Sequence, residues 1–172
     1  MVTGAEHFPL NRSDDDRITL RTMNYADLRH IMQIEERAYS HPWTIGIFRD
    51  CIRVGYNCWV GIIKGRIVGY GVIMLAAGEA HILNLCVDPE HQSKGLGRRI
   101  LQHLVTRCAQ TDIDMVILEV RRSNDNARAL YHSEGFHEIG VRKDYYPHAE
   151  GREDAIIFAR YVAAAEAEEW HD

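Results

Sequence analysis

Apolar and polar residues alternate with two different periods along the chain, which predicts both strands and helices. Residues 115–120 form a near-continuous apolar run, which is typical of a strand buried in the centre of a sheet. Between residues 97 and 110, apolar side chains recur at helical spacing and form one stripe of an amphipathic helix. The same patterns predict strands at residues 18–21, 56–63, 67–75, 80–87, 136–143 and 154–161, and helices at residues 25–39, 44–53 and 124–133.

The order of these predicted elements indicates the fold class. About seven strands and four helices follow one another as strand, two helices, three strands, helix, strand, helix and two strands. A strand–helix–strand unit lies at the centre of this order. The sequence therefore predicts an α/β (α+β) domain with a mixed central sheet.

Local signals mark several ends of these elements. Asn24 is suited to cap the helix that follows it, because its side chain can accept a hydrogen bond from a free backbone N–H group. Pro42 ends that helix, because proline disfavours helical geometry in the residue before it. Gly65 lies in a short polar segment between two β-branched runs, which predicts a hairpin.

The composition is that of an ordinary globular protein. The chain has 172 residues, enough for one domain, with 46% apolar and 26% charged residues. No apolar run approaches the ~20 residues of a membrane span. The first residues lack the basic and then apolar layout of a secretory signal. We therefore expect a cytoplasmic protein that does not bind membranes.

Cysteine and histidine spacing gives no sign of a disulfide framework or a metal site. The four cysteines include no Cys-x-x-Cys pair, so we expect reduced, mostly buried thiols. The ten histidines show no His-Glu-x-x-His spacing. The sequence therefore predicts neither a bound metal nor a catalytic cysteine.

The net charge of −5 is unevenly distributed along the chain. Residues 1–16 and 163–172 hold eight of the 25 acids and one of the 20 Lys and Arg residues. That leaves 17 acids and 19 bases in residues 17–162. We therefore expect one folded domain at 17–162 between two flexible acidic tails. This domain lacks the strong positive excess of a protein that binds nucleic acid by itself.

A glycine-containing segment, residues 92–98, has the most specific local pattern in the chain. It contains Gly95 and Gly97 and lies between a predicted strand and the amphipathic helix. Backbone N–H groups at a helix start are unpaired and carry the positive end of the helix dipole, so an anion fits there. Lys94 and Arg98 can add positive charge. The segment predicts an anion site, with a plain strand-to-helix turn as the alternative.

Two other phosphate-binding loops do not fit this segment. A P-loop has its lysine after the last glycine, whereas Lys94 precedes Gly95. The dinucleotide-binding fingerprint needs a third glycine at the position of Ile100.

The pattern Gln-x-x-Gly-x-Gly, after a strand that ends Leu-x-Val-Asp-Pro, resembles the acetyl-coenzyme A signature of the GNAT superfamily of N-acetyltransferases. Residues 124–136 are similar to the second motif of that family, Asn-x-x-Ala-x-x-Leu-Tyr-x-x-x-Gly-Phe, and match it completely. The resemblance implies the GNAT fold and acetyl-coenzyme A as cosubstrate. It implies that the pantetheine arm contacts the strand and that the pyrophosphate contacts the loop. The expected contacts are Leu85, Cys86 and Val87 in the strand and Gln92, Ser93, Lys94, Gly95, Leu96, Gly97 and Arg98 in the loop.

Two positions qualify this resemblance. The family commonly has arginine where this chain has Ser93, which weakens the grip on phosphate slightly and which Lys94 can compensate. Asn124 is expected to bond amides of the pantetheine arm, but it is equally suited to cap the helix that follows it.

Two side chains near these motifs have chemistry that suits acetyl transfer. Glu119 interrupts the apolar run 115–120, where a carboxylate is costly unless it is paired or hydrated. We therefore expect Glu119 to face a cavity and to accept the proton of an attacking amine. The alternative is a structural ion pair, for which Arg121 lies on the same face of the strand. Tyr131 has a phenol of pKa ~10 that can protonate a departing thiolate, with ordinary core packing as the alternative.

The remaining chemistry needs few groups. Backbone N–H groups near Cys86 and Val87 are expected to stabilise the oxyanion that forms when the amine attacks the thioester. Because the amine attacks directly, no covalent enzyme intermediate is needed.

Further segments are similar to one branch of the family, the RimI-type ribosomal-protein-alanine N-acetyltransferases. In that branch the equivalents of Glu119 and Tyr131 are the proton acceptor and the proton donor. The likeness implies acetylation of the N-terminal alanine of a small-subunit ribosomal protein. It implies a peptide groove lined by Trp43, Tyr145 and Tyr146, with ordinary packing as the alternative. The similar segments are residues 34–38, 41–43, 118–121, 142–147 and 151–155.

Two other functions stay open on the sequence. A GNAT enzyme of the same fold can acetylate a small-molecule amine or a lysine side chain. A non-catalytic coenzyme-binding module is the alternative from another class, although Glu119 and Tyr131 argue against it.

Overall fold

The computed structural model describes residues 17–162, so the two predicted acidic tails lie outside the described residues. Seven strands and four α-helices of the described chain form a single mixed sheet with helices on both faces. The predicted α/β class is confirmed. The elements are β1 Thr19–Thr22, α1 Leu28–Ala38, α2 Ile45–Arg53, β2 Asn57–Ile63, β3 Arg66–Ala76, β4 Glu79–Val87, α3 Leu96–Ala109, β5 Met115–Arg121, α4 Asp125–Ser133, β6 His137–His148 and β7 Gly151–Tyr161.

Helix α1 begins later than predicted because a 3-10 turn at Tyr25–Asp27 precedes it. Asn24 caps this turn, since its Oδ1 accepts a hydrogen bond from Ala26 N at 2.9 Å. Asn24 N donates in return to Asp27 Oδ2 at 2.8 Å, and Asp27 also forms an ion pair with Arg21 at 2.7 Å. The predicted cap is confirmed, and the reciprocal bond to Asp27 fixes a tight first turn.

Strand β6 continues beyond the predicted strand at residues 136–143. Tyr146 and Pro147 pair with Glu153 and Arg152 of β7, after a register shift that follows Arg142. Proline is tolerated there because β6 is the edge strand of the sheet. The alternating pattern is broken at the shift, so periodicity alone ends the strand too early.

The sheet has the order β1-β2-β3-β4-β5-β7-β6, and β4 with β5 is the parallel pair of the described strands. Their pairing joins residues 79–82 to residues 115–118 and ends at Ile82 and Leu118. Beyond these residues, β4 and β5 no longer pair with each other. No other described strand pairs with the edges that they turn toward each other. Leu83 is a bulge residue in the β3–β4 register, where β4 turns away from β5. A gap therefore opens in the middle of the sheet.

The helices cover opposite faces of the sheet and bury two separate cores. Ile100 and Leu104 of α3 are fully buried on one face, while Ile31 of α1 and Phe48 of α2 are fully buried on the other. Helix α3 lies very close to β3: a Cβ on Gly71 of β3 would be only 2.8 Å from Leu104 Cδ1 of α3. This packing fixes the start of α3 beside the gap. Within residues 17–162, no helix is long and apolar enough to cross a membrane.

We predict that His103 makes the stability of the fold depend on pH. Its ring lies edge-on to Trp59 with centroids 4.2 Å apart. Burial, and then the charge of Arg107, lower the pKa of His103 below its usual value. The unfolded chain therefore binds a proton more readily, so stability falls as pH decreases through about 6.5. Urea unfolding at pH 7.5 and 5.5 should show a smaller loss for His103→Phe than for the wild type. Equal losses would contradict this prediction.

Candidate active site

Two cavities meet where β4 and β5 separate. One has a volume of about 330 Å³ and the other about 510 Å³. Both are open to the surface; the smaller one lies against the unpaired edges of both strands, and the larger one against that of β4. The residues that line both are Tyr39, Leu85, Asn124, Ala127 and Tyr131. We call the smaller one the acceptor cavity and the larger one the loop cavity.

The loop cavity is bounded by the start of α3. Ser93 and Gly95 both have positive φ angles, 60° and 77°, so the loop bends sharply into the helix. Thr44 caps α2 and Asn124 caps α4 by side-chain hydrogen bonds, whereas the described residues supply no side-chain cap to α3. The first N–H groups of α3 are therefore available to an anion.

Six of the seven loop residues singled out in the sequence line the loop cavity. Gln92 Nε2 donates to Val87 O at 3.0 Å and ties the loop to the end of β4. Lys94 differs, because it is not part of the lining and its Nζ donates to Glu90 O at 3.2 Å on the outside of the loop. The six lining residues are Gln92, Ser93, Gly95, Leu96, Gly97 and Arg98.

Arg98 is held by an acid in this structure. Its guanidinium pairs with the Glu134 carboxylate at the end of α4, and that carboxylate is 9% exposed. Gln102 Nε2 also donates to Glu134, at 3.1 Å. An anion in the loop cavity would therefore compete with Glu134 for Arg98.

The strand residues singled out in the sequence also line the loop cavity. Leu85, Cys86 and Val87 follow the last residue of β4 that pairs with β5, so the edge of their backbone that faces β5 is open. An extended ligand can add to such an edge as a strand would. Burial raises the pKa of the Cys86 thiol to about 11, so the thiol stays protonated at neutral pH.

Asn124 acts as the N-cap of α4, which was one of its two predicted roles. Its Oδ1 accepts a hydrogen bond from Ala127 N at 3.1 Å. The side chain nevertheless lines both cavities. The cap uses the amide oxygen, and the amide NH₂ group retains its capacity to donate.

Tyr131 is a core aromatic whose side chain also lines both cavities. It is 7% exposed and packs against Phe136 and Phe158 with centroid distances of 6.0 and 5.7 Å. Burial raises the pKa of Tyr131 well above its usual value, and its electrostatic interaction with the Tyr146 phenol adds to this effect. The phenol therefore holds its proton throughout the physiological range.

Glu119 reaches the acceptor cavity from the opposite face of the sheet. Its neighbours Leu118 and Val120 belong to the core that contains Tyr131, and side chains alternate along a strand. Glu119 is 24% exposed, and its Oε1 lies 2.6 Å from Nε of Arg142 on β6. The gap in the sheet allows the carboxylate and the phenol to line one cavity.

Glu119 does form an ion pair, which was the alternative to a catalytic role, but the predicted partner, Arg121, was wrong. Arg121 instead lies 3.4 Å from Glu153 and stacks its guanidinium 4.5 Å from the centre of the Tyr146 ring. Glu119 pairs with Arg142, which is 23 positions further along the chain. Strand spacing identified a residue on the same face, but Arg142 lies on that face too, because it pairs with Ala155 of β7, which pairs in turn with Arg121.

The aromatic residues predicted for a peptide groove occupy one side of the acceptor cavity. Trp43 and Tyr146 line it, and Trp43 also packs against Phe48 with centroids 5.3 Å apart. Burial and the nearby charge of Glu119 raise the pKa of Tyr146 to about 12. Tyr145 is not part of the lining and packs edge-on against Tyr146.

Two residues of the site were not predicted from the sequence. Glu35 is 1% exposed, lines the acceptor cavity and accepts a hydrogen bond from Trp43 N at 2.8 Å. Tyr39 lines both cavities and donates through its hydroxyl to Leu85 O at 3.2 Å. One sequence signal existed, since Glu35 is a carboxylate on the apolar stripe of its helix.

One cluster beside the loop has donor atoms of the metal-binding type. Asp88, Glu90 and His91 bring one such atom each within 4.8 Å of the others. Arg37 lies 2.6 Å from Asp88 and supplies positive charge to this cluster. The absence of a metal from the chemistry stays a prediction.

The arrangement of an uncapped helix start, a separated parallel strand pair and two joined cavities corresponds to a known family. The sequence profile of the acetyltransferase (GNAT) family matches residues 27–136. The chain belongs to the acetyltransferase (GNAT) family. Its RimI-type resemblance is confirmed by a relative from Escherichia coli K12, a [ribosomal protein bS18]-alanine N-acetyltransferase. The two are 37% identical over 141 residues, which cover 82% of this chain and 95% of the relative.

Solved structures agree with this assignment. The crystal structure of the ribosomal-protein-S18-alanine N-acetyltransferase from Escherichia coli has a TM-score of 0.81 and 34% identity. The match covers 91% of this chain and 100% of that one. A protein from Arabidopsis thaliana solved with acetyl-coenzyme A shares the fold, with a TM-score of 0.76, 16% identity and coverage of 85% and 99%.

Proposed function

We propose that this enzyme transfers the acetyl group of acetyl-coenzyme A to the N-terminal alanine of ribosomal protein bS18. The observation that carries the proposal is the 37% identity to the Escherichia coli enzyme over 95% of its length. The α-amine of a protein has a pKa of about 8, against ~10.4 for lysine, so a modest base is sufficient to deprotonate it.

The loop cavity suits the coenzyme. The first N–H groups of α3 would hold the pyrophosphate, with Ser93 and Gly95 shaping the loop around it. The open edge of β4 at Leu85 and Val87 would bond the amides of the pantetheine arm, and the Asn124 amide would add a donor. These contacts direct the thioester toward the acceptor cavity, since the two cavities share Asn124 and Tyr131.

The acceptor cavity suits the amine and its proton transfers. Glu119 would take the proton from the attacking ammonium, directly or through one water molecule. Tyr131 would give its proton to the thiolate as the carbon–sulfur bond breaks, which the raised pKa of its phenol allows across neutral pH. Backbone N–H groups near Cys86 and Val87 would stabilise the oxyanion. Holding both reactants side by side removes most of the entropy cost of their encounter.

The acceptor protein would enter between the α1–α2 turn and the end of β6. Trp43 and Tyr146 give this entrance large contact areas at low cost in conformational entropy. Tyr145 would act from the outside by holding the Tyr146 ring, which it contacts edge-on.

The proposal is tested by incubating the purified enzyme with acetyl-coenzyme A and ribosomal protein bS18, followed by mass spectrometry. We expect one added acetyl group at the N-terminal alanine. An acetyl group on a lysine, or turnover of small amines in place of the protein, would overturn the substrate assignment. Coenzyme binding without any turnover would overturn the enzymatic role.

A further inference from the structure

The described chain buries three acids, and one of them differs from the others in its partners. Asp27 lies 2.7 Å from Arg21 and Asp88 lies 2.6 Å from Arg37, so each has a cationic partner. Glu35 is the most deeply buried of the three, at 1% exposure.

The hydrogen bonds that Glu35 accepts from residues 17–162 all come from uncharged groups. Trp43 N donates to Oε1 at 2.8 Å, Asn84 Nδ2 donates to Oε2 at 3.4 Å, and the Tyr70 hydroxyl donates to the same oxygen. Two of these groups, a backbone N–H and an amide NH₂, can only donate. The set of donors is thus arranged for a carboxylate.

Such a carboxylate needs positive charge from elsewhere. Removing a charge from water is costly, and neutral donors compensate only part of that cost. Glu35 lines the acceptor cavity, as does Asn84, which follows the bulge where β4 leaves β5. The other carboxylate of this cavity, Glu119, already has Arg142 at 2.6 Å. The uncompensated charge of Glu35 therefore acts on whatever enters the cavity.

We propose that Glu35 selects a positively charged acceptor, because it attracts an amine that enters the cavity as the protonated ammonium. This inference rests on the proposed function, because it takes the acceptor cavity as the amine site. An α-amine of pKa ~8 is mainly protonated at neutral pH, so the attracted form is the abundant one. The low polarity of the surroundings strengthens the attraction.

Glu35 and Glu119 then have separate tasks. The ammonium gives its proton to Glu119, its nitrogen lone pair forms the bond to the thioester carbon, and the carbon–sulfur bond breaks. Tyr131 gives its phenolic proton to the sulfur, and the second proton that the nitrogen loses as the amide forms restores the phenol. Glu35 keeps its three hydrogen bonds and takes no proton. It is a specificity determinant and not a catalytic residue, since its side chain is nearly inaccessible.

Equilibrium binding to the enzyme with coenzyme A provides the test. One peptide begins with alanine, and a second carries a hydroxyl in place of the α-amino group. We expect the wild type to bind the amine peptide at least about tenfold more tightly. Glu35→Gln should remove most of this preference. It should also raise KM for the amine peptide without lowering kcat, because it weakens ground-state attraction and leaves Glu119 intact.

Asp27→Asn is the matched control, since it neutralises a buried carboxylate of the same region that does not line the acceptor cavity. It should lower the thermal unfolding temperature and keep the preference for the amine peptide. Retention of that preference in folded Glu35→Gln would overturn the inference.

A second variant covers the case in which Glu35→Gln does not fold. Glu119→Gln should keep the preference, and its loss there would overturn the role of Glu35. Failure of the wild type to acetylate the alanine peptide would contradict the proposed function. The binding preference tests the role of Glu35 separately. The two failures are thus distinguishable.

Discussion

Replacing Glu119 with glutamine is expected to lower kcat about 100-fold at pH 7, because the attacking ammonium loses its proton acceptor. The affinity for acetyl-coenzyme A should stay within about twofold, since Glu119 lines the acceptor cavity and not the loop cavity. Steady-state kinetics with an alanine-initiated peptide, together with calorimetric titration of the coenzyme, measure the two quantities.

The pH profile separates proton transfer from simple disruption of the site. An α-amine of pKa ~8 is about 10% neutral at pH 7 and about 90% neutral at pH 9. The Glu119→Gln variant should therefore recover part of its rate at pH 9, because most of the amine is already deprotonated before it binds. Glu79 lies at the far end of β4 and lines neither cavity, so the control variant Glu79→Gln should leave kcat unchanged. A Glu119→Gln variant with wild-type kcat at pH 7 would refute the assignment.

Replacing Tyr131 with phenylalanine is expected to lower kcat about 100-fold as well, because the departing thiolate loses its proton donor. The ring packing on Phe136 and Phe158 is preserved, so the thermal unfolding temperature should change little. Coenzyme affinity should also stay within about twofold. Stopped-flow or steady-state assays of thiol release give kcat directly.

Raising the pH should not rescue the Tyr131→Phe variant, in contrast to the Glu119→Gln variant. Its missing proton is needed by the leaving group, and alkaline solution makes protons scarcer. Tyr161→Phe serves as control, because Tyr161 is 81% exposed and its loss of a hydroxyl should not change the rate. If Tyr131→Phe keeps full activity, Tyr131 is only a packing residue.

These two predictions depend on groups that come from opposite faces of the sheet. Glu119 alternates away from the core that contains Tyr131, and the two share a cavity because β4 and β5 stop pairing at Ile82 and Leu118. A sheet closed by continued pairing would separate them. The gap is therefore the feature of the fold on which the proposed chemistry depends most.

Much of the architecture follows from local sequence. The apolar run at residues 115–120, the stripe on α3 and the caps at Asn24 and Asn124 predicted elements that the structure contains. Such signals involve residues within a few positions of each other, so their physical cause is present in the sequence itself. The two family motifs are equally local, and they identified the loop and helix that border the loop cavity.

The sequence by itself thus determined the elements, the family and the residues that line the two cavities near the motifs. Tertiary structure decided which charges meet there. Glu119 pairs with Arg142 and not with Arg121, because the pairing of β5 with β7 and of β7 with β6 brings a distant residue to the same face of the sheet. Glu35 came to line the acceptor cavity because α1 packs across β3 and β4. Charge pairing depends on distance in space, and only the packed sheet sets those distances.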